Sequence, residues 1–372
     1  MKEKIRVLVV DDSALMRKLI PQILQADSSI EVVGTALDGN FGLKKIEELK
    51  PQVVTLDLEM PGMGGIDMLK QIMRRHRLPV IVVSSHSTQG ASITLKALSL
   101  GAFDFVAKPS DVSARMPEIA HELISKIKAA ASSRGVQVGP DVEAVPLISR
   151  SGKASADGKD QPSKIVALGI STGGPQALHY LLPQLPASFP GTIVIVQHMP
   201  EGFTEMFAKR LDEICSIRVK EAQSGDLLLA GRALVCPGSR HIKIKRMPLG
   251  DVAVLSDDPR VNGHRPSADV LFKSAAEEFG NQCIAVLMTG MGDDGAQGMG
   301  AVKAVGGMTI AQHEDSCVVY GMPKAAIERG FAVRVVGLEA MANTLMTLCM
   351  RERKIETNPG DGGKAAGAGQ SI

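Results

Sequence analysis

Two long segments of the chain alternate short apolar runs with amphipathic stretches of helical period. In the first segment, helical stretches such as MRKLIPQILQ separate the apolar runs. Nearly continuous apolar strands that alternate with helices predict a parallel sheet covered on both faces. The segment therefore predicts an α/β domain over residues 1–130. Its predicted strands are IRVLVV, IEVVGTA, VVTLD, VIVVSS and DFVAKP.

The alternation stops and then resumes. Residues 131–163 are rich in Ser, Gly, Pro, Asp and Lys and lack periodicity, which predicts a flexible linker. Residues 164–351 predict a second, doubly wound and mostly parallel α/β domain, and the Gly-rich residues 352–372 predict a disordered tail. The predicted strands of the second domain are KIVALGI, TIVIVQH, ALVCPG, VAVLS, CIAVLMTG and GMTIAQ.

Composition narrows the class of protein. The net charge is +2, aromatic residues make up 3% of the chain and Trp is absent, which argues against a basic nucleic-acid binder and against base stacking. The five cysteines are scattered and form no C-x-x-C pair, as is typical of reduced thiols. No apolar stretch approaches the roughly 18 residues of a membrane span. We therefore expect a cytoplasmic protein that is neither exported nor membrane-spanning.

Polar side chains follow four predicted strands of the first domain, and they are Asp11, Asp12, Asp57, Ser84 and Lys108. Because the carboxyl ends of parallel strands share one edge of the sheet, these groups are expected to lie together. Three carboxylates at one edge would repel one another unless a cation lies among them, and hard oxygen ligands suit Mg²⁺. Taken singly, each aspartate has the simpler interpretation of a helix cap. Together they suit a phosphoryl group held on one carboxylate.

The blocks VVDDS, TLDLEMPGMGG, VVSS and GAFDFVAKPS resemble, in order and spacing, those of response-regulator receiver domains. The resemblance implies a flavodoxin-like fold and Asp57 as the acceptor of phosphate from a histidine kinase. It also implies Mg²⁺ held by Asp12, Asp57 and the carbonyl of Glu59, with Asp11 in support.

The same resemblance assigns three switch positions. Ser84 stands where the family has Thr or Ser, and Lys108 follows the fifth strand. Phe105 occupies the aromatic switch position without the hydroxyl of a tyrosine. A rotamer switch at Phe105 would therefore lack a hydrogen-bonding tip.

In the second domain a glycine-rich turn follows the first strand. Residues 169–173 read Gly-Ile-Ser-Thr-Gly, a G-x-S-x-G pattern with Ser171 at its centre. A small-residue turn between strand and helix exposes a serine and directs backbone N–H groups towards one point. The turn suits an activated serine, and it also suits a bound phosphate.

A dinucleotide site would need an acidic residue at the end of the next strand, but that strand ends in QHMP. His198 in this stretch is the kind of general base that a serine needs. A third polar group follows a later strand, where either Asp293 or Asp294 could orient the imidazole. Four other histidines compete for the role of base, and they are His179, His241, His264 and His313.

The stretches GISTGGPQAL, VQHMP, VNGHRPSADVLF and VLMTGMGDDGAQGM resemble the catalytic domain of the CheB family of chemotaxis methylesterases. The resemblance implies Ser171 as nucleophile, His198 as general base and then acid, and Asp294 as the orienting acid. Thr172 and Met291 match positions that line the site, with the Met291 N–H as an oxyanion donor.

The resemblance further implies a phosphorylation-activated esterase that hydrolyses glutamate 5-O-methyl esters on methyl-accepting chemoreceptors and deamidates receptor glutamines. The expected partners are a histidine kinase and the chemoreceptors, without nucleic acid or membrane insertion, and the expected state is a monomer. Mg²⁺ is expected for phosphorylation, and no cofactor for ester hydrolysis. Two rival interpretations are a receiver fused to an α/β module that binds a phosphate or nucleotide, and a DNA-binding output, which lacks a basic patch.

The linker is long enough for the receiver to lie over the catalytic edge or to leave it. We therefore expect the unphosphorylated receiver to block access to Ser171, and phosphorylation at Asp57 to weaken that contact.

Overall fold

A computed structural model describes residues 3–85, 87–108, 116–133 and 161–350 of the chain. Most of the predicted linker and the whole predicted tail lie outside the described residues. The predicted α/β class is confirmed, with a five-stranded sheet in the N-terminal domain and a seven-stranded sheet in the C-terminal domain.

The N-terminal sheet is parallel, in the order β2-β1-β3-β4-β5. Its central strands are apolar on both faces because helices cover both sides, so residues 7–10 are almost fully buried. The hydroxyl of Ser13 caps α1, and the carboxylate of Asp38 caps α2. In chain order the elements are β1 (Ile5–Val10), α1 (Ala14–Gln25), β2 (Ile30–Ala36), α2 (Gly39–Leu49), β3 (Val53–Leu56), α3 (Gly65–Arg75), β4 (Val80–Ser84), α4 (Thr88–Ser99), β5 (Asp104–Ala107) and α5 (Met116–Ser132).

The C-terminal sheet is also parallel, in the order β14-β13-β12-β6-β7-β9-β8. The chain winds outwards from β6 in both directions, so the switch point lies between β6 and β12, where ligands usually bind. The elements are β6 (Ile165–Ile170), α6 (Gly174–Leu181), β7 (Thr192–Gln197), α7 (Phe203–Ile214), β8 (Arg218–Glu221), β9 (Arg232–Val235), β10 (His241–Lys245), β11 (Val252–Ser256), α8 (Ala268–Phe279), β12 (Cys283–Leu287), α9 (Ala296–Ala304), β13 (Met308–Gln312), α10 (Met322–Glu328), β14 (Arg334–Val336) and α11 (Leu338–Cys349).

Four strands depart from the sequence-based prediction. The apolar run VAVLS is a strand, but it pairs antiparallel with β10 in a separate two-stranded ribbon instead of joining the main sheet. The strands β8, β10 and β14 were not predicted, because they are short and mix charged with apolar residues. None of the described helices is long and apolar enough to cross a bilayer.

The two domains pack against each other through α4 of the first and α6 and α7 of the second. The Arg210 guanidinium donates a hydrogen bond to the Ser92 carbonyl at 2.8 Å, and the Gln176 amide donates to the Ala102 carbonyl at 2.7 Å. A continuous cluster of buried apolar side chains spans the contact. At the carboxyl end of β6, Thr172 also contacts Asp104 of the first domain.

Candidate active site

The carboxyl edge of the first sheet gathers three aspartates. One carboxylate oxygen from each of Asp11, Asp12 and Asp57 lies within 4.8 Å of the others. Asp11 and Asp57 are buried, whereas Asp12 is exposed. Oxygen donors at this spacing fit a hard divalent cation such as Mg²⁺, and these are the aspartates that the sequence indicated.

Lys108 neutralises part of this charge. Its ammonium nitrogen lies 2.6 Å from Asp57 Oδ2 and 3.0 Å from Asp11 Oδ2. Burial raises the pKa of Asp57, the hydrogen bond from Lys108 opposes that shift, and the charge of Asp11 adds to it. The Glu59 N–H donates to Asp57 Oδ1 at 3.2 Å, and the buried Ser84 hydroxyl donates to the Gly90 carbonyl at 3.3 Å.

In the second domain, β6 runs into a tight turn that carries Ser171. The Ser171 N–H donates to the Thr289 carbonyl at 3.0 Å, and the Gly174 N–H donates to the Ser171 carbonyl at 2.8 Å. Gly173 has φ +78°, and a Cβ there would lie 2.5 Å from Val318, so both backbone conformation and space require glycine. The turn fixes the serine at the carboxyl end of the sheet, beside the switch point.

His198 follows the neighbouring strand β7 and lies beside the turn. Ile170 and Gln197, the residues that precede Ser171 and His198, are partners in the β6–β7 pairing. The buried Gln197 amide donates to the carbonyls of Ser171, at 3.0 Å, and of His198, at 3.1 Å. One side chain therefore joins the backbones of the candidate nucleophile and the candidate base.

The imidazole of His198 has one defined hydrogen bond. Its Nε2 lies 2.8 Å from Asp294 Oδ2, and because a carboxylate only accepts, Nε2 must carry the proton. Its Nδ1 is buried and has no hydrogen-bond partner among the described residues. The described structure has no hydrogen bond between His198 and the Ser171 hydroxyl. Nδ1 is therefore the nitrogen that can accept a proton.

Asp294 is held by several donors. The Ser267 hydroxyl donates to Oδ1 at 2.6 Å and the Ala268 N–H to Oδ2 at 2.7 Å, in addition to His198. Burial alone would raise the pKa of Asp294, but the hydrogen bond and charge of His198 and the other two donors lower it to about 2. Asp294 is therefore a fixed negative charge at neutral pH.

The neighbouring Asp293 points elsewhere. Its Oδ2 accepts a hydrogen bond from the Arg329 guanidinium at 2.6 Å, and the carboxylate is about half exposed. Placement at a strand end left both aspartates open and the family resemblance implied Asp294; of the two, only Asp294 contacts His198 in the described structure.

The four competing histidines are placed in different surroundings. His241 is buried and bonded on both nitrogens, Nδ1 to the Ser267 N–H and Nε2 to the Pro259 carbonyl. His179 lies on the exposed side of α6, and His313 lies at the exposed end of β13. His264 lies against His198, with ring centroids 4.0 Å apart.

Met291 and Thr172 both border the turn. Met291 is partly exposed in the loop after β12, and its N–H has no acceptor within the described residues, as an oxyanion donor requires. The Thr172 carbonyl accepts a hydrogen bond from the Thr289 hydroxyl at 2.9 Å. The roles of Thr172 and Met291 at the site stay predictions.

The receiver reaches this edge directly. The Thr172 hydroxyl donates to Asp104 Oδ2 of the receiver at 2.8 Å, and both residues are buried. Next to Asp104, the ring of Phe105 stacks on Phe203 of α7 with centroids 4.8 Å apart. Lys126 of α5 lies 3.4 Å from Asp104 Oδ1 and donates to the Phe105 carbonyl at 2.5 Å. The residue next to the candidate nucleophile is thus covered by the receiver.

Three of these contacts were not foreseen from the sequence. Gln197, Ser267 and Asp104 all lie inside the stretches that carry the family resemblance, VQHMP, VNGHRPSADVLF and GAFDFVAKPS. Their positions within these motifs were the only sign of a role. The sequence did not show which groups they contact, because most of those groups are distant in the chain.

Comparison with known proteins identifies two family domains and several similar proteins. The model of the CheB methylesterase family matches residues 166–345, and that of the response regulator receiver domain matches residues 7–119. The chain is 62% identical over 355 residues to protein-glutamate methylesterase/protein-glutamine glutaminase 2 of Koribacter versatilis (strain Ellin345), covering 94% of this chain and 97% of that one. It is 45% identical to the corresponding protein of Symbiobacterium thermophilum, covering 92% of this chain and 96% of that one. Among solved structures, the catalytic domain of Thermotoga maritima CheB methylesterase is 42% identical, covers 50% of this chain and 98% of that one, and superposes with a TM-score of 0.49.

Proposed function

This chain belongs to the CheB methylesterase family, and from that premise we propose that it is a protein-glutamate methylesterase and protein-glutamine glutaminase controlled by its receiver domain. Its substrates are glutamate methyl esters and specific glutamines of chemoreceptors. The observation that carries the proposal is the imidazole of His198, which is bonded to buried Asp294 through Nε2 and whose Nδ1 has no partner among the described residues, beside the turn that holds Ser171.

The geometry supports one sequence of steps. Ser171 Oγ attacks the ester carbonyl while its proton passes to His198 Nδ1, and Asp294 stabilises the resulting imidazolium. The imidazolium then protonates the leaving methoxide, so that methanol departs and an acyl-enzyme remains. Water that gives its proton to His198 hydrolyses the acyl-enzyme and frees the glutamate. On a glutamine side chain the same steps release ammonia.

Charge that develops on the carbonyl oxygen needs donors. The Met291 N–H supports this role because it lies in the loop after β12 without an internal acceptor among the described residues. Loss of one such donor typically costs about 10²- to 10³-fold in rate. These hydrolytic steps use side chains and backbone of the chain itself.

In the receiver, Asp57 accepts phosphate from a histidine kinase. Asp12, Asp57 and the Glu59 carbonyl would hold Mg²⁺ with Asp11 in support, and the ion would supply positive charge that neutralises the phosphoryl oxygens. Lys108, already 2.6 Å from Asp57, turns its ammonium to the phosphoryl group, and the Ser84 hydroxyl donates to one of its oxygens. The three clustered carboxylates support this assignment.

The receiver inhibits the esterase when it is unphosphorylated. The contact between Asp104 and Thr172 buries the residue that follows the nucleophile, which supports inhibition by coverage. Phosphorylation at Asp57 weakens the docking of Phe105 and its neighbours against α7. A tenfold change in activity needs a change of only about 1.4 kcal/mol in the free energy of docking between the two domains.

The remaining features of the proposal concern context. The enzyme acts in the cytoplasm as a monomer, and its scattered cysteines, which form no C-x-x-C pair, agree with a reducing compartment. The division into a receiver (1–130), a linker (131–163), a catalytic domain (164–351) and a tail (352–372) stays a prediction.

Methanol release from methylated receptor membranes tests the activity, with the full chain and a small phosphodonor. Ser171→Ala and His198→Ala should abolish release while the thermal unfolding midpoint stays close to that of the wild type. An active-site serine probe should label Ser171 in the wild type only. If Ser171→Ala still releases methanol at the wild-type rate, the assignment of the nucleophile is wrong. If the wild type neither releases methanol nor reacts with the probe, a ligand-binding module becomes the better interpretation.

A further inference from the structure

The ring of His264 covers one face of the His198 imidazole. The two rings are nearly parallel, with an interplanar angle of 4° and centroids 4.0 Å apart. The side chain of His198 is only 11% exposed, and the His264 ring covers one of its faces. The ring of His264 therefore contacts the general base of the proposed triad, which takes up a proton and releases it again.

The loop that carries His264 has a defined local structure. The N–H of Val261 donates to the His264 carbonyl at 3.0 Å, and the His264 N–H donates back to the Val261 carbonyl at 2.9 Å. The two residues between them, Asn262 (φ +51°) and Gly263 (φ +81°), form a tight turn of the Asn-Gly type, which favours positive φ at both positions. The Asn262 amide donates to the buried carboxylate of Asp269 at 3.0 Å.

The loop is also fixed at its two ends. The buried His241 accepts from the Ser267 N–H through Nδ1 and lies 3.1 Å from the Pro259 carbonyl through Nε2. The Arg265 guanidinium donates to the Asp257 carbonyl at 2.9 Å. These hydrogen bonds on both sides of His264 fix the backbone from which its ring reaches His198.

The electrostatics of the pair favour a neutral ring in the stack. Burial, together with the positive charge that His198 can carry, lowers the pKa of His264 to about 4. Of the other charged groups that face it, Asp294 and Asp293 raise this pKa and Arg260 lowers it. At neutral pH the ring is therefore an uncharged π face, which attracts the imidazolium that forms on its neighbour.

We propose that His264 is a positioning residue for the reaction, whose ring holds the His198 imidazole in the plane in which Nε2 meets Asp294 and Nδ1 meets the nucleophile. The proposal rests on the proposed function of His198 as general base. A single hydrogen bond at Nε2 fixes a distance but leaves the imidazole free to rotate about its side-chain bonds. The stacked ring removes that freedom and keeps water from one face of the base.

Three variants of the full chain, assayed with a phosphodonor, separate positioning from direct proton transfer. His264→Ala should lower kcat for methanol release about 10- to 100-fold with KM changed less than about twofold, because the base loses its orientation and not its substrate. His264→Phe keeps an aromatic face without ring nitrogens and should recover most of the loss. His313→Ala removes an exposed histidine at another strand end of the same sheet and should match the wild type.

Two further measurements complete the test. The acidic limb of the kcat/KM profile should be the same in the wild type and in His264→Phe, because the replaced ring is neutral over that range. The imidazole ¹⁵N signals of His198 should show one fixed tautomer in both, and tautomer exchange in His264→Ala. The NMR signals do not depend on ester hydrolysis, so they distinguish a failure of this proposal from a failure of the proposed function.

Two outcomes would overturn the proposal. Equal losses in His264→Phe and His264→Ala would mean that a ring nitrogen is required. Wild-type kinetics together with unchanged His198 signals in His264→Ala would mean that the stack positions nothing. If wild-type protein neither releases methanol nor reacts with a serine probe while the NMR effect is present, the proposed function fails and the positioning of His198 stands.

Discussion

The contact between Asp104 and Thr172 offers a direct way to release the esterase without phosphorylation. Asp104→Ala removes the acceptor of the 2.8 Å hydrogen bond from the Thr172 hydroxyl and leaves every residue of the catalytic domain in place. The exposed fractions are 7% for Asp104 and 3% for Thr172, so the bond is scarcely screened by water. Basal activity should therefore rise.

The expected size follows from the type of bond. A hydrogen bond to a charged group contributes about 1.5–3 kcal/mol, which corresponds to a shift of about 10- to 150-fold in the docking equilibrium. The gain in rate stops where the undocked form predominates. Activity without a phosphodonor should thus approach that of phosphorylated wild type, and a phosphodonor should add little in the variant.

Methanol release from methylated receptor membranes, without a phosphodonor, measures this effect. Asp27→Ala is the matched control, because Asp27 also pairs with a lysine of α5, Lys128, but has no contact with the catalytic domain among the described residues. Thermal melting of both variants shows whether the receiver stays folded. A folded Asp104→Ala variant with wild-type basal activity would refute inhibition through this contact and leave the receiver as a targeting module.

Other predictions address the phosphorylation site and the buried acid. Asp57→Asn should take up no phosphate from a Mg²⁺-dependent phosphodonor; uptake at the wild-type rate would move the acceptor elsewhere. Asp294→Asn should lower kcat, but by less than His198→Ala, whereas Asp293→Asn should have little effect; the reverse order would place the triad one residue earlier. Because the pKa of Asp294 is lowered from 3.8 to about 2, its stabilising effect is complete above about pH 4 and is lost as the pH falls towards 2. Between about pH 5 and 2 the free energy of unfolding in urea should thus drop by about 2 kcal/mol more for the wild type than for Asp294→Asn; equal drops would contradict the lowered pKa.

The sequence by itself was sufficient to predict the α/β class and to identify the candidate residues at strand ends. Buried parallel strands are nearly continuous apolar runs, and the polar residues that follow them, such as Asp57, Ser171 and His198, are visible because the contrast is local. Short strands with mixed composition, such as RVKE in β8, carry no such contrast, and the sequence did not reveal them.

Only the tertiary structure decided which distant groups meet. Placement at a strand end did not separate Asp293 from Asp294, and although the family resemblance implied Asp294, only the structure shows that its carboxylate turns towards His198, 96 residues away. The stack of His264 on His198 and the contact of Asp104 with Thr172 likewise join residues far apart in the chain. Hydrophobic periodicity reports which face of an element is buried, but not what it is buried against. Such pairings arise when whole helices and strands pack closely together, so they depend on the tertiary arrangement and not on the local sequence.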